Sequence, residues 1–386
     1  MKTRKDNSAG ASGSDGAPQR TASASASVWS EAAVRVLRER YLLRDAEGTV
    51  VETPDELVWR VSRAVAQAEK QWTDPDGQTP EQIARQFYDV MASREFLPNS
   101  PTLMNAGKGN NLQLSACYVV PVPDSLEGIF DAVKHAALIH QSGGGTGFSF
   151  SRLRPEGSMV ASTHGVASGP VSFMRIFDGA TEAVKQGGTR RGANMGILRV
   201  DHPDILKFID CKRDGSVTNF NISVAITDEF MRAYEADTDY ALIDPHTQTE
   251  TRRMRAREVM ERIIDAAWAT GDPGLVFLDR ANRSSANPTP EIELLEATNP
   301  CGEQYLGPYD ACNLGSINLG LFVHDGEIDW QGLERVARIT TRFLDNVIEI
   351  NPFPLAQVHE KVHANRRIGL GVMGWAEMLF EMGLRY

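Results

Sequence analysis

From Phe96 onward, short runs rich in β-branched and aromatic residues alternate with stretches of helical periodicity, and this alternation constrains the fold more than any other feature. The runs at 116–122, 148–150, 196–200, 221–226 and 275–278 are too short to be helices. The stretches at 125–140, 171–185, 227–235, 257–268 and Trp330–Ile350 carry apolar residues at helical spacing. Parallel strands need a long crossover between them, usually a helix, so the pattern predicts an α/β fold with a parallel sheet. The sequence contains no internal repeat.

Before Phe96 the texture is helical. Ser30 is placed to cap a helix that carries Leu37, Tyr41 and Leu42. Thr53-Pro54-Asp55-Glu56 and Thr79-Pro80-Glu81-Gln82 are capping boxes, each followed by an apolar stripe. Residues 29–95 therefore form an N-terminal helical domain, and 96–386 the α/β portion. Residues 1–28 are rich in Ser, Ala and Gly, lack the apolar block of a secretory signal and read as a disordered tail. Asp6 and Asp15 argue against a transit peptide. The chain stops just after the apolar stretch 375–384 without terminal punctuation, which suggests a portion of something larger.

Charge narrows the partners. With 40 basic and 51 acidic residues the net charge is −11, so no general attraction to nucleic acid is expected and an anionic ligand needs local groups. No apolar run approaches a membrane span of roughly 18 residues. The four cysteines (Cys117, Cys211, Cys301, Cys312) are too few for a disulfide scaffold and form no C-x-x-C pair, as expected of a reducing, cytoplasmic setting.

Asn299-Pro300-Cys301-Gly302-Glu303 sets a thiol at a turn between a carboxamide and a carboxylate, an arrangement suited to chemistry at sulfur or to an ordinary loop cysteine. Gly143-Gly144-Gly145-Thr146-Gly147 lacks the P-loop lysine and reads more readily as a tight helix-to-strand connection than as a phosphate cradle. The segment 186–194 surrounds Arg190 and Arg191 with glycines, as a mobile anion- or purine-gripping loop would. Gly369-Leu370-Gly371-Val372-Met373-Gly374 matches the dinucleotide fingerprint. It lacks a buried first strand and an acidic partner about 20 residues on, so close helix packing explains it better. His359-Glu360-Lys361-Val362-His363 matches the zinc-peptidase helix, with Glu381 a third ligand by spacing, but Lys361, Arg366 and Arg367 oppose a dication. Cys211 reads as a packed core thiol and Cys117 as a residue of a buried strand.

Taken together, the stretches 97–107, 115–117, 143–148, 186–194, 299–303 and 311–319 resemble, in order, the catalytic subunit of ribonucleotide reductase, specifically the adenosylcobalamin-dependent class. The resemblance implies the first half of a ten-stranded α/β barrel with a finger loop carrying the radical cysteine at its centre. In that reading Cys301 becomes a thiyl radical that abstracts the ribose 3′ hydrogen, and the barrel interior shields it from water. Glu303 takes the 3′-hydroxyl proton, and Asn299 orients the substrate. Cys117 and Cys312 supply reducing equivalents and end as a disulfide. Thr102, Ala116, Gly145, Pro300 and Gly302 line the substrate, Asp124 and Arg154 bind a deoxynucleoside triphosphate effector, and 187–194 relays its signal. The resemblance also implies a homodimer and a thioredoxin-like reductant. The family's second half-barrel is absent from the sequence, so a separate or missing chain is expected to complete the barrel. Alternatives are the same reaction with a separate dimetal radical subunit, a non-catalytic nucleotide-binding half-chain, and a zinc peptidase through His359 and His363.

Overall fold

Three helices open the described residues where the capping signals place them: α1 (Glu31–Arg40), α2 (Pro54–Ala66) and α3 (Pro80–Ala92). Ser30 accepts a hydrogen bond from the Ala33 amide, and the boxes Thr53/Glu56 and Thr79/Gln82 are both complete. The computed structural model describes residues 29–109, 111–160, 165–184 and 192–386. The tail 1–28 and the Arg-bearing part of the 186–194 segment lie outside the described residues.

The alternating region follows in chain order: β1 (Phe96–Pro98), β2 (Cys117–Val119), α4 (Leu126–Gln141), β3 (Gly145–Ser149), α5 (Gly169–Val184), β4 (Asn194–Arg199) and β5 (Phe220–Ile226). Next come α6 (Asp228–Ala236), α7 (Ala256–Thr270), β6 (Gly274–Phe277), the short strands β7 (Ala297–Thr298) and β8 (Tyr305–Leu306), and β9 (Ala311–Asn318). The chain continues through α8 (Trp330–Ile350), α9 (Ala356–Asn365), β10 (Ile368–Met373) and α10 (Trp375–Glu381).

Strands β2, β3, β4, β5 and β6 lie side by side and all parallel, as the crossover pattern requires. Beyond β2 the sheet reverses: β9 pairs antiparallel with β2, and β10 runs parallel to β9. The curled sheet thus carries the parallel half of a barrel and two strands of opposite direction beside it.

Side chains alternate between the two faces of the sheet. On the outer face Phe148 and Phe150 meet Phe177 of α5 and Phe220 of β5, with Phe148 and Phe177 edge-to-face at 4.8 Å. The inner face carries Ala116, Cys117, Met195, Ile197, Ala225 and Cys312, and Ala297 and Leu306 of the β7–β8 hairpin cover it.

The N-terminal helices do not close their core alone. Phe343 of α8 lies edge-on to Phe87 of α3 at 5.1 Å and to Phe96 of β1 at 5.4 Å. Arg342 adds a polar tie by gripping Glu69 and Asp74 at 2.7 and 2.6 Å.

The stretch Gly369–Gly374 corrects the expectation of close helix packing. It is strand β10 with its following helix cap, and a Cβ on Gly369 would lie 2.1 Å from Leu314 Cδ2 and 3.1 Å from Cys312 Sγ. Strand-to-strand crowding explains the glycine.

Because Phe343 is fully buried at the junction of helices and sheet, Phe343→Ala is expected to cost about 3–5 kcal/mol, read from the midpoint shift in chemical denaturation.

Candidate active site

The 299–304 loop is the tip of the β7–β8 hairpin, paired Ala297 to Leu306 and Thr298 to Tyr305. Asn299 organises it. The Asn299 amide N–H donates to the Gln304 carbonyl, Gly302 N–H donates to the Asn299 carbonyl, and Gln304 N–H donates to Asn299 Oδ1, each at 3.1 Å. Gly302 has φ +84°, a conformation that strains any residue with a Cβ.

The hairpin sits so close to β3 that β3 must be glycine beneath it. A Cβ on Gly147 would stand 1.7 Å from the Thr298 carbonyl oxygen, and one on Gly145 would stand 2.7 Å from Pro300 Cγ. The amides of this glycine run serve the fold. Gly143 and Gly144 donate to the end of α4, Gly145 donates to Ala116, and Thr146 donates to Ala193. The run is therefore the tight connection expected from its residues, and the space above Gly145 belongs to Pro300. From the other side Asn221 Nδ2 donates to the Pro300 carbonyl at 2.8 Å. Asn221 had no signal in the sequence, since it reads as one position of a strand.

Two thiols lie beneath the loop. Cys312 of β9 stands directly opposite Cys117 of β2 in the antiparallel register. Opposite residues in such a pair have Cα atoms about 4.5–5.5 Å apart, within the roughly 4.4–6.8 Å that a disulfide spans. Both are thiols here, and both are buried. Asn299 Nδ2 donates to Cys117 Sγ at 3.0 Å and to Glu303 Oε1 at 2.6 Å, so one amide touches both a thiol and the carboxylate. The Cys312 S–H donates to the Asn313 carbonyl at 3.2 Å. Burial pushes its pKa well above the ordinary thiol value, Cys117 and Asp310 push the same way, and Arg367 opposes them. Cys312 therefore keeps its hydrogen.

Cys301 departs from the shielded position that the resemblance implies. It is exposed at the hairpin tip while Asn299 is fully buried. The described sheet covers the loop from β3 and β5 and leaves the outer side of the tip open.

Among the expected substrate-lining residues, Thr102 is fully buried and donates to the Leu114 carbonyl at 3.0 Å, and Ala116 donates to the Cys312 carbonyl at 3.2 Å. Asp124 and Arg154 come together as an ion pair of 2.8 Å. Asp124 also borders a cleft of about 770 Å³ with Arg152, Arg199, Asp201, His202 and His246. The relay loop 187–194 lies largely outside the described residues. Cys211 is a packed thiol whose pKa burial pushes up to about 12.

The zinc reading fails on geometry. His359 and His363 stack at 4.1 Å, and Lys361 between them pairs with Glu293 at 2.6 Å. No group of three His, Cys, Asp or Glu side chains among the described residues converges on a metal position.

A helical domain leading into a curled, mainly parallel sheet, with a thiol-bearing hairpin laid across the inner face, defines an α/β-barrel protein. Residues 115–386 match the family model described as ribonucleotide reductase, barrel domain, and residues 29–111 match that described as ribonucleotide reductase, all-alpha domain. The chain belongs to the ribonucleotide reductase large-subunit family. It is 46% identical over 409 residues to a vitamin B12-dependent ribonucleoside-diphosphate reductase of Thermoplasma acidophilum, a match covering 92% of this chain and 53% of the relative. It is 49% identical over 357 residues to the enzyme of the same description from Mycobacterium tuberculosis, covering 92% and 51%. A ribonucleoside-diphosphate reductase large subunit of vaccinia virus is 31% identical, covering 89% and 47%. The chain thus spans about half the length of the curated relatives it matches.

Two outcomes follow. Gly147→Ala is expected to displace the hairpin, which limited proteolysis at 299–304 would register as faster cleavage. His140 is buried, and burial pushes its pKa down to about 4. It stays neutral in the fold while the unfolded chain protonates below about pH 6.5. Stability is therefore intact above pH 6.5 and falls by up to about 3 kcal/mol as pH drops to 4. Denaturant titration at several pH values should show that fall, and His140→Gln should flatten it.

Proposed function

We propose that the chain provides the radical and reducing residues for converting ribonucleotides to 2′-deoxyribonucleotides, with adenosylcobalamin as the radical source. The observation that carries this reading is the convergence of Asn299 and Glu303, on the loop that presents Cys301, with Cys117 and the opposite Cys312 beneath it. The Cys301 thiyl takes the 3′ hydrogen of the ribose and Glu303 takes the 3′-hydroxyl proton, which eases departure of the 2′-hydroxyl. That hydroxyl leaves as water with a proton from the Cys117–Cys312 pair. The pair's second hydrogen goes to C2′, and its two electrons reduce the sugar as it becomes a disulfide. Glu303 returns its proton to the 3′ oxygen, and Cys301 returns its hydrogen to C3′, which regenerates the thiyl. Asn299 holds the carboxylate and the thiol in one frame.

Adenosylcobalamin fits the exposure of Cys301, because a bulky group can reach a thiol only where the chain leaves it open. When bound, that group supplies the radical that removes the Cys301 thiol hydrogen. The vitamin B12-dependent relatives at 46 and 49% identity favour this source over a separate dimetal subunit.

The same reading takes Thr102, Ala116, Gly145, Pro300 and Gly302 as the substrate wall. It takes Asp124 with Arg154 as the effector site for a deoxynucleoside triphosphate, and a thioredoxin-like protein as the reductant of the disulfide. The chain is divided near residue 95, works in the cytoplasm and pairs as a homodimer. Leu126 and Phe130, one turn apart on α4 and exposed, favour a covered face there. The chain spans about half the length of its curated relatives, and the reaction is assigned to the whole barrel rather than to these residues alone.

Reductase activity is measured on these residues within a full-length barrel, with adenosylcobalamin added. Cys301→Ala is expected to abolish turnover. Activity equal to the unaltered chain would leave only a nucleotide-binding role.

A further inference from the structure

Residues in and beside two sequence motifs, HEKVH and the glycine fingerprint, meet in one buried charged cluster. Lys361 Nζ lies 2.6 Å from Glu293 Oε2. Arg367 Nε donates to Asp310 Oδ2 at 2.9 Å, and its terminal nitrogen lies 3.6 Å from Glu293 Oε1. Asn365 Nδ2 donates to the same Asp310 oxygen at 3.0 Å and reaches Glu293 Oε1 at 3.5 Å. The acids are almost sealed: the Asp310 side chain is 0% exposed and that of Glu293 7%. Two cations face two carboxylates, so the cluster is electrically balanced.

Its position matters more than its balance. Glu293 lies four residues before β7, and Asp310 lies four residues after β8, so they stand on the two stems of the hairpin that carries Cys301. The stems are in contact: a Cβ on Gly307 would fall 2.0 Å from a Glu293 carboxylate oxygen. Asp310 is also two residues ahead of Cys312. Its carbonyl accepts from the Val119 amide, and the Tyr309 amide donates to the Val119 carbonyl. Those bonds fix the register that sets Cys312 against Cys117. Arg367 directly precedes β10, whose Gly369 crowds Cys312. Arg366 turns the other way, to Asp345 and Glu349 of α8, which anchors the end of α9 to the scaffold.

We propose that Lys361, Asn365 and Arg367 form a clasp at the root of the 299–304 loop, positioning Cys301 and the Cys117–Cys312 pair by holding Glu293 and Asp310 together. These are positioning residues, because they act on the cysteines through the two acids. Burial raises the Asp310 carboxyl pKa, and Arg367 and Asn365 counter it, so removing the guanidinium leaves an acid poorly accommodated two residues from Cys312.

The inference rests on the reductase reading only for what the cysteines do. Its test therefore needs no turnover. Arg367→Met, Arg367→Lys and Asn365→Ala are made in the 386-residue chain. Two quantities are measured: the Cys117–Cys312 dithiol–disulfide equilibrium against dithiothreitol mixtures, and the iodoacetamide alkylation rates of Cys301 and Cys312 by peptide mass spectrometry. Arg367→Met is expected to shift the equilibrium about tenfold and to speed Cys312 alkylation comparably, with Arg367→Lys returning both toward the unaltered chain. Values within about twofold for Arg367→Met would overturn the clasp. If that variant does not fold, Asn365→Ala decides. It removes neutral hydrogen bonds and leaves the charges balanced, so a shift of about threefold or more supports the clasp and an unchanged equilibrium sinks it. A Cys301→Ala chain that kept full reductase activity would end the catalytic reading, while the dithiol equilibrium and Cys312 alkylation of the Arg367 and Asn365 variants would still decide the clasp.

Discussion

The approach of the Thr298 carbonyl to Gly147 is the constraint on which the site depends. A backbone oxygen stands where any other residue would place its Cβ, so the hairpin can lie on the inner face of the sheet only over glycine. That contact fixes the height of the loop above β3. Asn221 fixes it sideways, and the turn around Asn299 fixes its shape. Backbone-to-backbone packing is stiffer than side-chain packing, because it has no rotamers to yield. Such stiffness holds the groups of the loop tip in a fixed orientation.

Below the loop, β-sheet register does work that a disulfide would otherwise do. Cys117 and Cys312 are far apart in the chain, yet pairing of β2 with β9 sets them opposite each other, at a backbone spacing that a disulfide can span, without joining them. Burial raises the Cys312 pKa and so favours its protonated thiol over the nucleophilic thiolate. Asn299 is fully buried and spends both side-chain atoms on the site, donating to Cys117 and Glu303 and accepting from Gln304. Electrostatics, not net charge, places these groups: the chain is acidic overall, while its buried acids at 293 and 310 are each matched by a cation.

The sheet is less covered at its margins than at its centre. Leu275 and Phe277 on β6 and Val372 on β10 are exposed, as are Trp375 and Phe380 on α10. Apolar side chains grouped on strand edges favour association with further β structure or a helix. This is consistent with a chain that spans about half the length of its relatives.

Much of this molecule was legible in its residues. Capping boxes placed α2 and α3, and the alternation from Phe96 gave the parallel strands, because hydrogen-bond caps and side-chain periodicity are local. That Cys117 and Cys312 meet was expected through resemblance rather than spacing, and the register of β2 with β9 sets them opposite each other. Other features depended on contacts between segments remote in sequence. The glycines at 143–147 suggested a ligand loop or a tight connection, and only the hairpin lying on them explains 145 and 147. Gly369 to Gly374 looked like helix packing, and only the pairing of β10 with β9 makes it a strand. Likewise nothing local marks Glu293, Asp310 and Arg367 as one cluster, or Phe343 as the closure of the N-terminal helices. A sequence determines which segments form helix or strand because those forces act within a few residues. Which glycine meets which carbonyl is decided only when the sheet curls and brings remote backbones into contact.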